Sequence, residues 1–142
     1  MVDLHSILQE HTPRKLGRET TDSKKMPSLP TPTYSDIPDI FFDSVLTSYK
    51  LTRIEIIVLM YLYRKVWCKP NLYRVYGISQ LMSLTEMAKS LNVHIDDVYG
   101  SLLKLDGFGF ISTVRSGQYF VRKFFLKEYD EYFAQTYDDF HI

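Results

Sequence analysis

The chain has 142 residues, of which 45% are hydrophobic and 15% aromatic, and its formal net charge at pH 7 is zero. This length and apolar content are enough for one domain with a hydrophobic core plus appended segments. No apolar run approaches the roughly 18 residues that span a bilayer, and the first residues lack a basic start followed by an apolar stretch, so we expect neither a membrane span nor a secretory signal. Cys68 is the single cysteine, which excludes an intramolecular disulfide and favours a cytoplasmic location.

Residues 1–36 are expected to form a disordered arm, because they contain four of the six prolines and are otherwise rich in Ser, Thr and charge. Such a segment has too little apolar surface to offset the entropy lost on ordering it. A short helix at residues 2–10 remains open, either as a frayed end or as a docking peptide. Residues 37–128 hold twelve basic and eight acidic residues, and this mildly basic balance permits nucleic-acid binding without arguing strongly for it.

Order is expected from residue 37 onward, and residues 37–67 have the pattern of two helices. Thr52 and Glu55 form a capping-box pair at the start of the second helix. The residues after this pair are apolar almost all round, so the second helix is predicted to be the central rod of the core. A loop follows, and residues 75–81 are predicted to form a short strand.

Two further helices and a hairpin are predicted downstream. The stretch SLTEMAKSLNV predicts a helix capped by Ser83 and ended by Asn92. The next helix is predicted to start at a cap on His94 and to bury Val98, Leu102 and Leu105. After Gly107 or Gly109 ends that helix, residues 111–114 are predicted to pair with residues 119–125 around a turn at Ser116 and Gly117.

The stretch SLTEMAKSLNVHIDDVYGSLLKLDGFGFI resembles winged helix-turn-helix domains, because its apolar positions, its turn and Gly109 fall in the register of that family. Upstream, LTRIEIIVLMYLYRKVW is similar to the first helix of phage replication-protein (O-type) and DnaD-like winged helices. The resemblance covers about residues 40–125. It implies a mostly α fold with a small β-hairpin (α+β), in which a disordered arm at 1–36 precedes a winged helix-turn-helix domain at 37–125 and a C-terminal aromatic and acidic helix or tail at 126–142.

The resemblance also implies binding to double-stranded DNA, in transcriptional regulation or replication initiation. In such domains the recognition helix enters the major groove and the wing lies along the backbone or the minor groove. Lys and Arg contact phosphates, and Arg and Gln are also donors that match base edges. Most contacts are expected from the wing and flanking bases, and the candidate DNA-binding residues are Arg115, Gln118, Arg122, Lys123, Lys104 and Arg74.

The predicted recognition helix departs from this pattern on its exposed side. Asp96 and Asp97 stand where base-reading helices carry donors, although acids in a first turn also stabilise a helix through its dipole. Ile95, Tyr99 and Leu103 are spaced by four and form an apolar stripe, which either meets a partner or is covered by the arm or the C-terminal segment. The alternative function is therefore a protein-interaction or adaptor module that binds its partner through Ile95, Asp96, Tyr99 and Leu103.

The C-terminal segment has aromatic residues at helical spacing, which favours either packing on its own domain or a homodimer contact through Tyr129, Phe133 and Tyr137. The four histidines and the one cysteine have no zinc-binding spacing. No glycine-rich phosphate loop occurs, and no spacing suggests a catalytic triad. We therefore expect a protein that is not an enzyme and that holds no metal or cofactor.

Overall fold

A computed structural model of the chain describes residues 29–135. Most of the predicted arm, including the helix expected at residues 2–10, lies outside the described residues, as does Tyr137. The chain divides into two compact units, Met1–Tyr34 and Ser35–Ile142. The described part of the first unit, residues 29–34, has no helix or strand, and all elements named below belong to the second unit.

The second unit begins with a short helical segment, named α1. It consists of a π-helical turn at Phe41–Val45 and a single α-helical turn at Leu46–Ser48. Phe41 and Val45 are its buried residues, and the ring of Phe41 lies 5.1 Å from the ring of Phe125 between centroids. α1 therefore packs on the chain that follows the hairpin.

Helix α2 spans Arg53–Tyr63 and continues into a π-helical segment at Arg64–Cys68. Its predicted capping box is confirmed, because the Glu55 N–H donates to Thr52 Oγ1 at 3.1 Å and the Thr52 N–H donates to Glu55 Oε1 at 2.9 Å. The predicted central position is also confirmed, since α2 packs against the helix at Ile95–Phe108. The apolar residues that α2 buries are Val58, Leu59, Leu62 and Tyr63.

The strand predicted at residues 75–81 is wrong in most of its length. Arg74–Tyr76 form a 3₁₀ turn that ends at Gly77 with φ of 73°. Only Ile78 makes a β-bridge, which pairs it antiparallel with Phe120. Gly77 has to be a glycine, since a Cβ there would lie 2.9 Å from the Trp67 ring. Beyond it the segment runs beside β2, because the Val121 N–H donates to the Gly77 carbonyl, the Ser79 N–H to the Tyr119 carbonyl and the Met82 N–H to the Gly117 carbonyl, each at 2.8 Å.

Helices α3 and α4 span Leu84–Leu91 and Ile95–Phe108. As predicted, Ser83 caps α3, with its side chain accepting from the Glu86 N–H at 3.0 Å, and Asn92 ends it in the left-handed region at φ of 56°. His94 is at the N-cap position of α4, but its side chain makes no capping hydrogen bond, so its predicted capping role is wrong. Two glycines were candidates for the end of α4, and the helix ends at Gly109, which has φ of 88°.

Strands β1 (Ile111–Arg115) and β2 (Gln118–Val121) form the predicted antiparallel hairpin, with Ile111 opposite Val121 and a bulge between Thr113 and Arg115. β2 is shorter than predicted because the backbone leaves the ladder after Val121 and reaches φ of 65° at Phe125. A short helix, α5, follows at Lys127–Tyr132.

The core lies between α2, α4 and the hairpin, with α1 and Phe125 closing one side. The Tyr63 and Phe125 rings stack with centroids 4.7 Å apart, and the Tyr63 hydroxyl donates to the Lys123 carbonyl at 2.7 Å. Trp67 Nε1 donates to the Val121 carbonyl at 3.0 Å, which joins the end of α2 to the end of β2. This mostly helical arrangement with one two-stranded sheet confirms the predicted α+β class.

Candidate interaction surface

Helix α4 places one apolar stripe in the core and a second in solvent. The buried residues Val98, Leu102 and Leu105 hold α4 against the core. On the other side Ile95, Tyr99 and Leu103 are 42%, 55% and 57% exposed. All four residues predicted to bind a protein partner, including Asp96, are therefore at the surface.

The exposed stripe borders an open groove of about 800 Å³. The start of α3 and the residues just before it form a second wall, which includes Leu81, Met82 and Leu84. The hairpin forms the third wall, with Thr113 and Tyr119. Among the described residues that line the groove, only Glu86 and Asp106 are charged, so this lining combines apolar side chains with negative charge.

The wall at residues 81–82 is fixed to the hairpin turn. The Met82 N–H donates to the Gly117 carbonyl at 2.8 Å. Gly117 has φ of 81°, and a Cβ at this position would lie only 2.7 Å from the Met82 carbonyl oxygen. The close approach therefore requires a glycine, and the turn and the second wall of the groove are held together.

Residues 81–82 and Tyr119 were not among the candidates that sequence reasoning selected. Their role depends on the contact between Met82 and Gly117, which are far apart in the sequence. The one local signal is the glycine in a hairpin turn, and that signal does not say which segment it approaches.

Arg115 lies exposed near the tip of the hairpin, as predicted, but Gln118 does not. Gln118 is 1% exposed, its Oε1 accepts from Arg115 Nε at 2.9 Å, and its Nε2 donates to the Ser79 carbonyl at 2.9 Å. The expectation that Gln118 contacts DNA is wrong, because the segment around Ser79 covers β2 and the Ser79 carbonyl accepts the hydrogen bond of the Gln118 amide. Gln118 instead orients the Arg115 guanidinium.

Arg122 is also engaged inside the protein rather than at the surface predicted for DNA. Its Nε donates to the Gly109 carbonyl at 2.6 Å, and its Nη1 lies 3.7 Å from Asp130 Oδ2. Its side chain is 14% exposed. The guanidinium thus joins the end of α4 to α5, which corrects the expected phosphate contact.

Asp130 is a fully buried carboxylate on α5. Its Oδ1 accepts from the Phe124 N–H at 2.8 Å. Burial raises the pKa of Asp130 from 3.8 to about 6, while the Phe124 N–H and the Arg122 guanidinium act in the opposite direction. The contact between α5 and the end of the hairpin therefore includes a group that titrates in mildly acidic solution.

The remaining candidate cations lie on separate elements. Lys123 is exposed, with its ammonium 5.4 Å from the Trp67 ring centroid and 5.8 Å from that of Phe124. Lys104 is exposed on α4, and Arg74 is exposed on the 3₁₀ turn. Of the six predicted DNA contacts, only Arg115 and Gln118 are joined by a hydrogen bond.

The aromatic residues proposed as a dimer contact are exposed where they are described. Tyr129 and Phe133 are 46% and 57% exposed, and the ring of Phe133 also lies 5.1 Å from that of Phe124. α5 does not cover the stripe on α4, which stays exposed. The homodimer contact remains a prediction.

Comparisons with protein-family models, with curated proteins and with solved structures find no match to this chain. Within residues 29–135, no three His, Cys, Asp or Glu side chains come together as metal ligands. None of the helices described is long and apolar enough to cross a membrane.

Proposed function

We propose that this chain is a winged-helix-type scaffold that acts as a protein-interaction module in the cytoplasm. Its docking site is the groove between α3, α4 and the hairpin. The observation that carries this proposal is the exposed stripe of Ile95, Tyr99 and Leu103 beside a groove lined by acids and no bases. The matching partner is an amphipathic segment with apolar and basic side chains.

The apolar stripe gives such a partner a source of binding energy. Full burial of a side chain of this size contributes about 1.5–3 kcal/mol. Since Ile95, Tyr99 and Leu103 are roughly half exposed, covering their remaining surface contributes on the order of 1 kcal/mol each. An extended stripe on one helix is also the usual surface for an amphipathic helix that lies in a groove.

The charges on α4 favour a basic protein segment over the major groove of DNA. Asp96 and Asp97 lie exposed in its first turn, and Asp106 lines the groove. Lys104 is the single basic residue of the helix. A helix that reads bases presents hydrogen-bond donors to the base edges and lies close to the phosphates. The carboxylates of this helix instead repel phosphates and attract Lys or Arg.

A labelled synthetic peptide of Leu and Lys, patterned as an amphipathic helix, tests the docking site by fluorescence anisotropy. We expect it to bind the full chain more tightly than a scrambled peptide of the same composition, which has the same charge. Tyr99→Ala with Leu103→Ala should weaken binding roughly 30-fold, as the loss of about 2 kcal/mol implies. Leu72→Ala with Val75→Ala is the matched control, because these side chains are 81% and 74% exposed but lie outside the groove.

Two outcomes would contradict the docking site. In the first, the scrambled peptide binds as tightly as the patterned one, which would mean that charge alone drives binding. In the second, the groove variant and the control variant bind equally well, which would place the peptide on another surface.

A second candidate function, DNA binding in transcriptional regulation or replication initiation, is favoured by the position of Arg115. Its guanidinium is exposed, and Gln118, which is itself held by the Ser79 carbonyl, fixes its Nε. A cation fixed near the tip of a hairpin suits a DNA backbone or a minor groove.

Titration of a mixed-sequence DNA duplex at two salt concentrations tests this candidate. We expect Arg115→Ala to weaken binding and to lower the salt slope by about 1. Lys127→Ala is the control, since this exposed lysine lies on α5 with its ammonium 3.9 Å from Glu131. The absence of duplex binding at low salt would exclude the candidate.

A further inference from the structure

A second, smaller cleft lies between the end of α2 and the start of α3. Its volume is about 320 Å³. Tyr61, Lys65 and Lys69 line it from the α2 side, and Gln80, Glu86 and Ser90 line it from the other side. This size is at the lower end of the range for small-molecule sites in proteins.

Two lysines face this cleft because of the way α2 ends. Lys65 lies in the π-helical segment Arg64–Cys68, and Lys69 is the residue that follows it. Lys69 has extended backbone just beyond the helical end, with φ of −119° and ψ of 162°, and both lysine side chains line the cleft. π-helical turns are also frequent at functional sites, where they redirect side chains.

Neither ammonium group is neutralised by a carboxylate in the part of the chain that the structure describes. Lys65 Nζ lies 5.5 Å from the centroid of the Tyr61 ring, and the ion pairs among residues 29–135 involve neither Lys65 nor Lys69. Lys69 is half-buried. The cleft therefore has two positive charges that can act on a ligand.

Neutral donors complete the polar lining. The Gln80 amide and the Ser90 hydroxyl both line the cleft, and each can donate a hydrogen bond to an oxygen of an anion. A phosphate monoester suits two ammonium groups, because it carries a charge of about −1.5 to −2 and has three acceptor oxygens. Glu86, the single acid of the lining, would repel a second phosphate and accept a hydrogen bond from a hydroxyl or amino group.

We infer that this cleft binds a small phosphate monoester with a hydrogen-bonding organic part, of the class of sugar phosphates and nucleoside monophosphates. Lys65 and Lys69 hold the phosphate, with Gln80 and Ser90 as additional donors. Glu86 and the Tyr61 ring contact the organic part. The cleft shares Leu81, Met82 and Glu86 with the docking groove, but its two lysines lie outside that groove and the exposed stripe on α4 lies outside the cleft.

Isothermal titration of the full chain with adenosine 5′-monophosphate, glucose 6-phosphate and inorganic phosphate tests this inference, with adenosine and glucose as controls for the organic part. We expect saturable binding of at least one monoester, tighter than that of inorganic phosphate, and no binding of the uncharged controls. Lys65→Ala with Lys69→Ala should weaken monoester binding by at least about tenfold. The matched control is Lys50→Ala with Lys127→Ala, which removes the same charge at exposed positions outside the cleft and should leave binding unchanged.

Circular dichroism of each variant checks the fold, and the single variant Lys65→Gln, at an exposed position, serves if the double variant does not fold. Three outcomes would overturn the inference: no saturable binding of any monoester, equal loss of binding in the cleft and control variants, or unchanged binding in the cleft variant. Duplex DNA is the last competitor. If it displaces the monoester from the wild type and itself binds the cleft variant more weakly, the inference is also overturned, because the ligand would then be a nucleic-acid backbone.

Discussion

Replacing Asp130 with Asn tests whether a buried carboxylate makes this fold less stable at neutral pH than at acidic pH. Asp130 has 0% exposure, its Oδ1 accepts from the Phe124 N–H at 2.8 Å, and the Arg122 Nη1 lies 3.7 Å from its Oδ2. Among residues 29–135, no group donates a hydrogen bond to that second oxygen. The partners therefore stabilise the charged form only in part, and burial raises the pKa of Asp130 from 3.8 to about 6.

The direction of the pH dependence follows from proton linkage. The folded protein holds the proton of Asp130 more tightly than the unfolded chain does, so the stability from this group is fully present below pH 3.8 and is lost as the pH rises through about 6. A shift from 3.8 to about 6 corresponds to a total loss of about 3 kcal/mol. About 2 kcal/mol of this loss falls between pH 4 and pH 7.

Urea unfolding of the wild type and of Asp130→Asn, measured at several values between pH 4 and pH 7, gives the free energy of unfolding as a function of pH. The Asn side chain keeps an oxygen for the Phe124 N–H but does not titrate. We expect the difference in free energy between the two proteins to change by about 2 kcal/mol over this range. If Asp130→Asn follows the pH profile of the wild type, the reasoning is refuted.

Three further variants test the local devices of the fold by urea unfolding. Gly117→Ala should lower the free energy of unfolding by at least about 1–2 kcal/mol, because it forces a left-handed backbone and pushes on the Met82 carbonyl; an unchanged value would mean that the turn moves easily. Thr52→Ala should cost about 1 kcal/mol through loss of the α2 cap, and Thr52→Ser should restore most of it. Gln118→Ala should cost about 1–3 kcal/mol, since it leaves the Ser79 carbonyl without this donor, whereas a surface role for Gln118 would predict almost no change.

Local chemistry makes the ends of the helices predictable from the sequence. The capping pair at Thr52 and Glu55, the cap at Ser83 and the left-handed stop at Asn92 each depend on residues within one turn of each other. His94 shows the limit of this reasoning, because its position at a helix start is correct but its side chain makes no capping bond.

The strand predicted at residues 75–81 failed for a non-local reason. The stretch has a local composition that suits a strand, but Gly77 approaches the Trp67 ring and the chain turns there. Ile78 then forms a β-bridge with β2, and the Ser79 N–H donates to the Tyr119 carbonyl of β2. Sequence periodicity contains no information about such a contact between distant segments.

The sequence alone determined the α+β class and which residues of α4 face outward. Helical periodicity separates Ile95, Tyr99 and Leu103 from the buried side, whereas the tertiary structure decided that they stay exposed and not covered. Only the tertiary structure decided which charged and polar side chains reach solvent. The sequence predicted that Arg122 and Gln118 make surface contacts, but α5 and the segment around residue 79 pack over them. Buried polar groups form hydrogen bonds inside the protein, and these two side chains do so.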